Sequence, residues 1–129
     1  MTAPNESLES AIVAAGANVA PRITPADIEA NITRAFYFTA AQGAEKAARD
    51  NGSYAAGEPH EGVALSLLTF CVLVLRNGYT VTGESACASP ENYNAEIGRR
   101  IARENAVGKV WPLLGFLLKE KLHTGQCSN

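Results

Sequence analysis

LSLLTFCVLVLRNGYTVTGE (residues 65–84) is the stretch whose reading decides the fold. Leu65 to Arg76 is rich in Leu, Val and Phe and lacks clean alternation, so periodicity alone admits a buried helix as readily as a strand. The next residues discriminate. Asn77-Gly78 is a strong signal for a type I′ hairpin turn, and YTVTGE alternates behind it. The stretch therefore reads as a β-hairpin with a two-residue loop, in which Arg76 faces Tyr79, Val74 faces Val81 and Leu73 faces Thr82. The first strand is apolar on both faces. In so small a sheet that pattern calls for helix cover on one side and a partner subunit on the other.

Downstream of the hairpin, VTGESACASPENYN (residues 81–94) leads into a long helical pattern, SPENYNAEIGRRIARENAVGKVW. Ser89 is the expected N-cap, Pro90 suits the first helical position, and Glu91 favours the positive end of the dipole. Pro112 is expected to kink or break the helix near Trp111, leaving LLGFLLKEKL as a second apolar helical piece. Upstream, an Ala-rich segment holds a short helix over residues 7–15 that Gly16 ends. TPADIEANITRAF then reads as a helix, with Thr24 as N-cap, Pro25 at its first position and Asp27 returning the capping-box contact. Ile28 and Ile32 would form its apolar stripe. The second half of FYFTAAQGAEKAARDNGSYAAGEPHEG, with Gly52, Gly57 and Pro59 among small and charged residues, reads as a mobile loop. The expected organisation is a variable segment over 1–20, one domain over 21–122, and a frayed tail over 123–129.

A chain of 129 residues with 47% hydrophobic and 19% charged residues is a folding chain of one-domain size. Its net charge of −2 argues against global electrostatic binding of nucleic acid or anionic membrane. MTAPNESLES lacks a basic region followed by an apolar core, so no secretory signal is expected. The longest apolar run, Val63 to Leu75, falls short of the about 20 residues a membrane span needs. Cysteines at 71, 87 and 127 show neither paired spacing nor a Cys/His ligand pattern, and His60 and His123 are isolated. No metal site, no cofactor and reduced thiols follow.

The chemistry-bearing positions are few. Gly98, Ala102 and Ala106 recur every four residues, a smooth stripe for close packing on the sheet or another helix, or for close approach of a ligand. Arg100 has Glu96 and Glu104 four residues to either side and reads as a surface ion pair. Arg99 and Arg103 share a face with no acid at four-residue spacing. They are a stripe suited to phosphates, with solvated surface charge as the plainer alternative. Thr82, Ser85, Ser89 and Asn92 supply small polar groups at a helix start, where free amides can meet an anion or where a cap and a turn suffice. Tyr79 and Tyr93 have the rings to stack on a base, or to sit in the core. Cys87 and Ser85 lack a nearby base, and GESAC is not GxSxG, so no catalytic residue is assigned.

These residues carry a family resemblance. The apolar strand, Asn-Gly plus aromatic, TGES-C, SPENY, EIG with Ala at four-residue intervals, and WPL-G-LL together resemble the phage protein family named after gene product 49 of phage N4 and gene product 66 of phage Sf6. The resemblance covers residues 65–122, and PRITPADIEANITRAFYFTAAQG extends it toward Pro21. It implies a phage or prophage origin and action in the host cytoplasm. The hairpin followed by long helices is also similar to the first type of phage Thoeris anti-defence sponge. That similarity implies binding of cyclic ADP-ribose-type signals or cyclic oligonucleotides without cleavage, by dimers or higher oligomers holding ligand between subunits.

The expectation is an oligomeric α+β protein: a small antiparallel, hairpin-based sheet covered by a long kinked C-terminal helix and N-terminal helices. The expected function is non-enzymatic sequestration of a small phosphorylated nucleotide signal. The candidate ligand residues are Tyr79, Thr82, Ser85, Ser89, Asn92, Tyr93, Arg99 and Arg103. The alternative is a module that grips a host protein through its apolar sheet and helix surface.

Overall fold

The computed structural model describes residues 4–52 and 59–125, with side chains over 7–52 and 63–125. The chain is α+β. Helices α1 (Pro4–Ala14) and α2 (Pro25–Asn31) precede strand β1 (Ile32–Thr39), followed by α3 (Ala40–Asp50) and α4 (Pro59–Ser66). Strands β2 (Leu68–Leu75) and β3 (Thr80–Ala86) come next, then a 3₁₀ turn over Pro90–Asn92 and helix α5 (Ala95–Thr124). The backbone groups into two compact units: residues 1–31 with 110–129, and residues 32–109.

In the second unit the sheet is antiparallel, in the order β1-β2-β3. The hairpin is present, but its turn is not the one expected. Leu75 N–H donates to the Tyr79 carbonyl at 2.8 Å, and Gly78 N–H to the Leu75 carbonyl at 2.9 Å. The loop is therefore Arg76-Asn77-Gly78. A type I′ turn needs φ > 0 at both central residues, and among the described residues only glycines have it, Gly78 at 90°. Asn77 stays right-handed, and its side-chain oxygen accepts from Tyr79 N–H at 2.9 Å. A right-handed turn closed by a left-handed glycine is the three-residue hairpin solution. The extra residue moves the register by one. Leu73 pairs with Val81, Val74 with Thr80 and Val72 with Thr82.

Strand β1 corrects the expectation of a helix through Ile32. The capping box forms as expected: Asp27 N–H donates to Thr24 Oγ1 at 3.2 Å, and Thr24 N–H to the Asp27 carboxylate at 2.9 Å. Yet α2 stops at Asn31, and Ile32 opens the strand. ITRAFYFT is β-branched and aromatic, and β2 offers an unpaired edge that a lone hairpin would leave to solvent. Thr33 is the extra residue of a bulge between Ile32 and Arg34, its hydroxyl donating to the Val74 carbonyl at 3.0 Å. β1 ends in a second capping box, with Thr39 and Gln42 exchanging bonds of 3.2 and 2.9 Å, which starts α3. Residues 45–50 are thus helical rather than part of a loop, and helix returns at Pro59. Residues 53–58 of the expected loop lie outside the described residues. The front of the 65–76 stretch also differs, because α4 runs through Ser66 before β2 begins.

Cross-strand partners share a sheet face. On one face of β2, Thr69, Cys71, Leu73 and Leu75 are buried; on the other, Phe70, Val72 and Val74 are half-buried. Helix α5 covers the first face through a close backbone approach. A Cβ on Gly83 would lie 2.2 Å from the Ala102 carbonyl oxygen and 2.3 Å from Ala106 N, so only glycine fits. Gly98 lies over Thr69, where a Cβ would stand 3.0 Å from its hydroxyl. The Gly98-Ala102-Ala106 stripe is therefore a packing surface on the sheet, and all three residues are buried. The opposite face keeps Phe36 and Phe38 exposed at 42% and 38%.

The start of α5 is a second correction. Ser89 makes no side-chain cap bond, and Pro90 opens only the 3₁₀ turn. Asn94 caps α5, its Oδ1 accepting Ile97 N–H at 3.0 Å while its carbonyl accepts Gly98 N–H at 2.9 Å. Nor does Pro112 break the helix, which runs 30 residues with the proline inside. The missing proline N–H deprives only the Gly108 carbonyl, at an exposed position where water can take it.

In the first unit, α1 ends at a left-handed Gly16 (φ 71°), with Ala17 N–H bonded to the Ile12 carbonyl and Gly16 N–H to Val13. Arg22 reaches back to Glu9 with two guanidinium bonds, one of 3.2 Å. That hydrogen bond holds the Glu9 carboxyl below its usual value, against partial desolvation. Ile28, Val110 and Leu114 are buried.

Candidate functional site

The covered sheet face carries a row of hydroxyls. Thr39, Thr69 and Ser85 are level across the three strands. Thr69 is 2% exposed, and its oxygen lies 3.4 Å from the Tyr93 hydroxyl, with Gly98 just above. The Thr69–Ser85 pairing and the Tyr93 contact thus bring Ser85, Tyr93 and the first turns of α5 to one end of this face. The next row toward the hairpin is Tyr37, Cys71 and Gly83. Here Arg103 reaches across from α5, its Nη1 donating to the Tyr37 hydroxyl at 3.3 Å.

Cys71 shows what this row is like electrostatically. Burial pushes its thiol pKa up, while a hydrogen bond with Tyr37 and the charge of Arg103 pull the other way. Burial wins, so the thiol stays protonated and inert at neutral pH. Arg103 is half-buried, and Arg99, one turn earlier on the same helix, is exposed. Arg100 pairs with Glu104 at 3.5 Å, with both side chains 67% exposed; solvent screening leaves such a pair worth little.

Four of the expected ligand residues belong to this neighbourhood: Ser85, Tyr93, Arg99 and Arg103. The other four do not. Tyr79 lies at the hairpin tip, 57% exposed and six residues along β3 from Ser85, roughly 20 Å away. Thr82 pairs with Val72, which puts it on the opposite face. Ser89 and Asn92 belong to the 3₁₀ turn, where the Ser89 carbonyl accepts from Asn92 N–H at 3.1 Å and from the Cys87 thiol at 3.2 Å. That stretch turns the chain, and the cap duty falls to Asn94.

Two contributors escaped the sequence reading. Tyr37 falls between the expected helix and the expected loop, in residues given no element, although the β-branched and aromatic make-up of ITRAFYFT and the T-x-x-Q box that follows suit a strand running into a helix. Asn105 donates from its amide to the Glu84 carbonyl at 2.7 Å, tying α5 to the edge of β3; an isolated helix asparagine carries no signal for that. Among the described residues no group of three or more His, Cys, Asp and Glu could hold a metal ion, and no helix is long and apolar enough to cross a membrane.

The family pattern described as Phage protein (N4 Gp49/phage Sf6 gene 66) family matches residues 23–122. The chain belongs to that family. No curated protein and no solved structure matches it.

Proposed function

We propose that this member of the phage family binds a small cyclic nucleotide signal, of the cyclic ADP-ribose or cyclic oligonucleotide type, and sequesters it without cleavage. In the host cytoplasm that would blunt anti-phage defence. The observation that carries the reading is the cationic edge of the covered face. Arg103 is held by the Tyr37 hydroxyl at 3.3 Å, and Arg99 stands one turn away on the same helix. Two guanidiniums at this spacing suit a phosphate or diphosphate, and Tyr37 and Tyr93 place aromatic rings on the same side of the sheet.

The test is to denature purified protein, analyse released small molecules by mass spectrometry, and titrate emptied protein with a cyclic-nucleotide panel by calorimetry. The bound nucleotide should return intact. The double variant Arg99→Ala/Arg103→Ala should bind about a hundredfold more weakly, the loss of two charge-assisted contacts, with an unchanged circular dichroism spectrum. Unchanged affinity in that variant would refute the site, and no binding across the panel would refute the function.

A second reading, a module that inhibits a host protein, draws on α5. Phe116 and Leu117 in LLGFLL are 61% and 52% exposed. It predicts a stoichiometric host protein on pull-down that Phe116→Ser abolishes.

A further inference from the structure

The two edges of the sheet are finished differently. On the β3 edge, Asn105 of α5 donates its amide to the Glu84 carbonyl at 2.7 Å, and the Glu84 side chain is exposed. Cover by a helix and a charge on the strand are two of the ways an edge is closed to further strands. β1 is the other edge, and among the described residues no strand lies beyond it. Its eight residues include no proline, and after the bulge at Thr33 they pair regularly with β2 as far as Thr39. Arg34, Phe36, Tyr37 and Phe38 are all exposed, so the strand meets solvent on both faces as well as offering its outer backbone groups. The charges around it are mostly positive. Arg103 donates to the Tyr37 hydroxyl at 3.3 Å, which marks the flank of α5 nearest β1, and Arg99 lies one turn away on that flank. Arg34 stands on the opposite face, its guanidinium 4.6 Å from the centre of the Phe36 ring. Against these three, the acid on the same flank of α5 is Glu96, two turns before Arg103.

We propose that the β1 edge is a strand-addition site for an extended, acidic segment of a partner protein. Main-chain bonds to the edge give such a segment its affinity, and its alternate side chains, which fall on the two faces of the sheet, give it specificity. On the face turned away from α5 the added strand runs beside Phe36, which calls for apolar side chains. A Cβ on Gly43 would stand 3.6 Å from the Phe38 ring, so α3 already occupies the end of that face and the contact centres on Phe36. On the other face the strand runs beside Tyr37, Arg103 and Arg99, which calls for aspartate or glutamate. An acid at the end of the segment level with Arg34 completes the match. A basic segment is repelled from both faces. A second copy of this chain would bring its own Arg34, Arg99 and Arg103 to the same edge, so the charges favour a different protein. The site is independent of the nucleotide reading, which needs no added strand and does not involve Arg34.

Two synthetic peptides test it, each the length of β1, eight residues, with both ends blocked. One alternates valine with glutamate and the other valine with lysine. Titrated into the full chain and followed by NMR, the glutamate peptide should bind and should slow amide hydrogen exchange within residues 34–38. The lysine peptide should bind at least about tenfold more weakly. Arg34→Glu, at an exposed position, should cost the glutamate peptide about five- to tenfold in affinity, with far-UV circular dichroism checking that the variant is folded. Because Arg34 lies outside the nucleotide site, peptide binding without nucleotide binding, or the reverse, tells which of the two readings has failed. No binding of the glutamate peptide, equal binding of the lysine peptide, an unaffected Arg34→Glu variant, or binding that leaves residues 34–38 unprotected would overturn the proposal. So would a free chain that sediments as a dimer with those amides already protected, since a second copy would then hold the edge.

Discussion

Replacing Gly83 with alanine adds one methyl group and should cost more than any other small substitution in the sheet. The new carbon would lie 2.2 Å from the Ala102 carbonyl oxygen and 2.3 Å from Ala106 N, where ordinary contact begins at 3.4 Å. Both obstacles are helix backbone, which cannot rotate aside as a side chain would, so α5 must retreat by about 1 Å. That retreat opens a gap beside Ala102 and Ala106, both 0% exposed, and a gap of about 1 Å forfeits up to half of each dispersion contact. Overpacking strain of about 1–3 kcal/mol and the lost contacts together should cost about 3 kcal/mol. For a chain of this size that lowers Tm by about 10 °C. Urea unfolding followed by circular dichroism, with a thermal melt beside it, measures both. The control is Gly115→Ala, the same chemical change placed in α5 itself rather than on the strand beneath it. A Cβ there meets nothing within 4 Å, so helix propensity alone should stabilise by about 0.5–1 kcal/mol. A loss at Gly83 below about 1 kcal/mol would refute the close seating of α5 on β3.

Two further outcomes follow from the corrections and from thiol burial. Asn94→Ala should lower stability by about 1 kcal/mol, while Ser89→Ala, which removes no cap bond, should change it by less than about 0.5 kcal/mol; urea titration of the pair distinguishes the two cap assignments. A thiol-reactive probe at mildly alkaline pH should modify Cys87 ahead of Cys71, because Cys71 is fully buried with a raised pKa; peptide mass mapping reads the order. Because the folded state keeps the Cys71 proton, the stability this confers is complete below the unfolded thiol pKa. It falls as pH rises through the raised folded value.

Local signals carried far where chemistry is local. The Thr24–Asp27 box, the glycine stop after α1, the hairpin at Asn77-Gly78 and the long helix beyond it depend on residues within a few positions of each other, and all are present. Local signals failed where a longer-range partner decided. Asn77-Gly78 announced a turn, but the same dipeptide serves a two-residue loop and a three-residue one. Which forms depends on where the Leu75 and Tyr79 backbones meet, and a shift of one residue exchanges every side chain between faces. Thr82 went to the wrong face for that reason. Ser89-Pro90-Glu91 has the composition of a helix start, yet the chain makes a single 3₁₀ turn there, and Asn94 does the capping five residues later.

The family membership, the α+β class, the small-residue stripe of α5 and the Arg99/Arg103 pair were all written in the order of residues, because periodicity and short-range hydrogen bonding are properties of neighbouring positions. ITRAFYFT has the composition of a strand, but tertiary structure decided that it would be one rather than prolong α2, because its aromatic residues pair with the open edge of β2. That one pairing set Tyr37 beside Arg103. The juxtaposition depends on backbone bonds between segments some forty residues apart in the chain, and no local pattern encodes those.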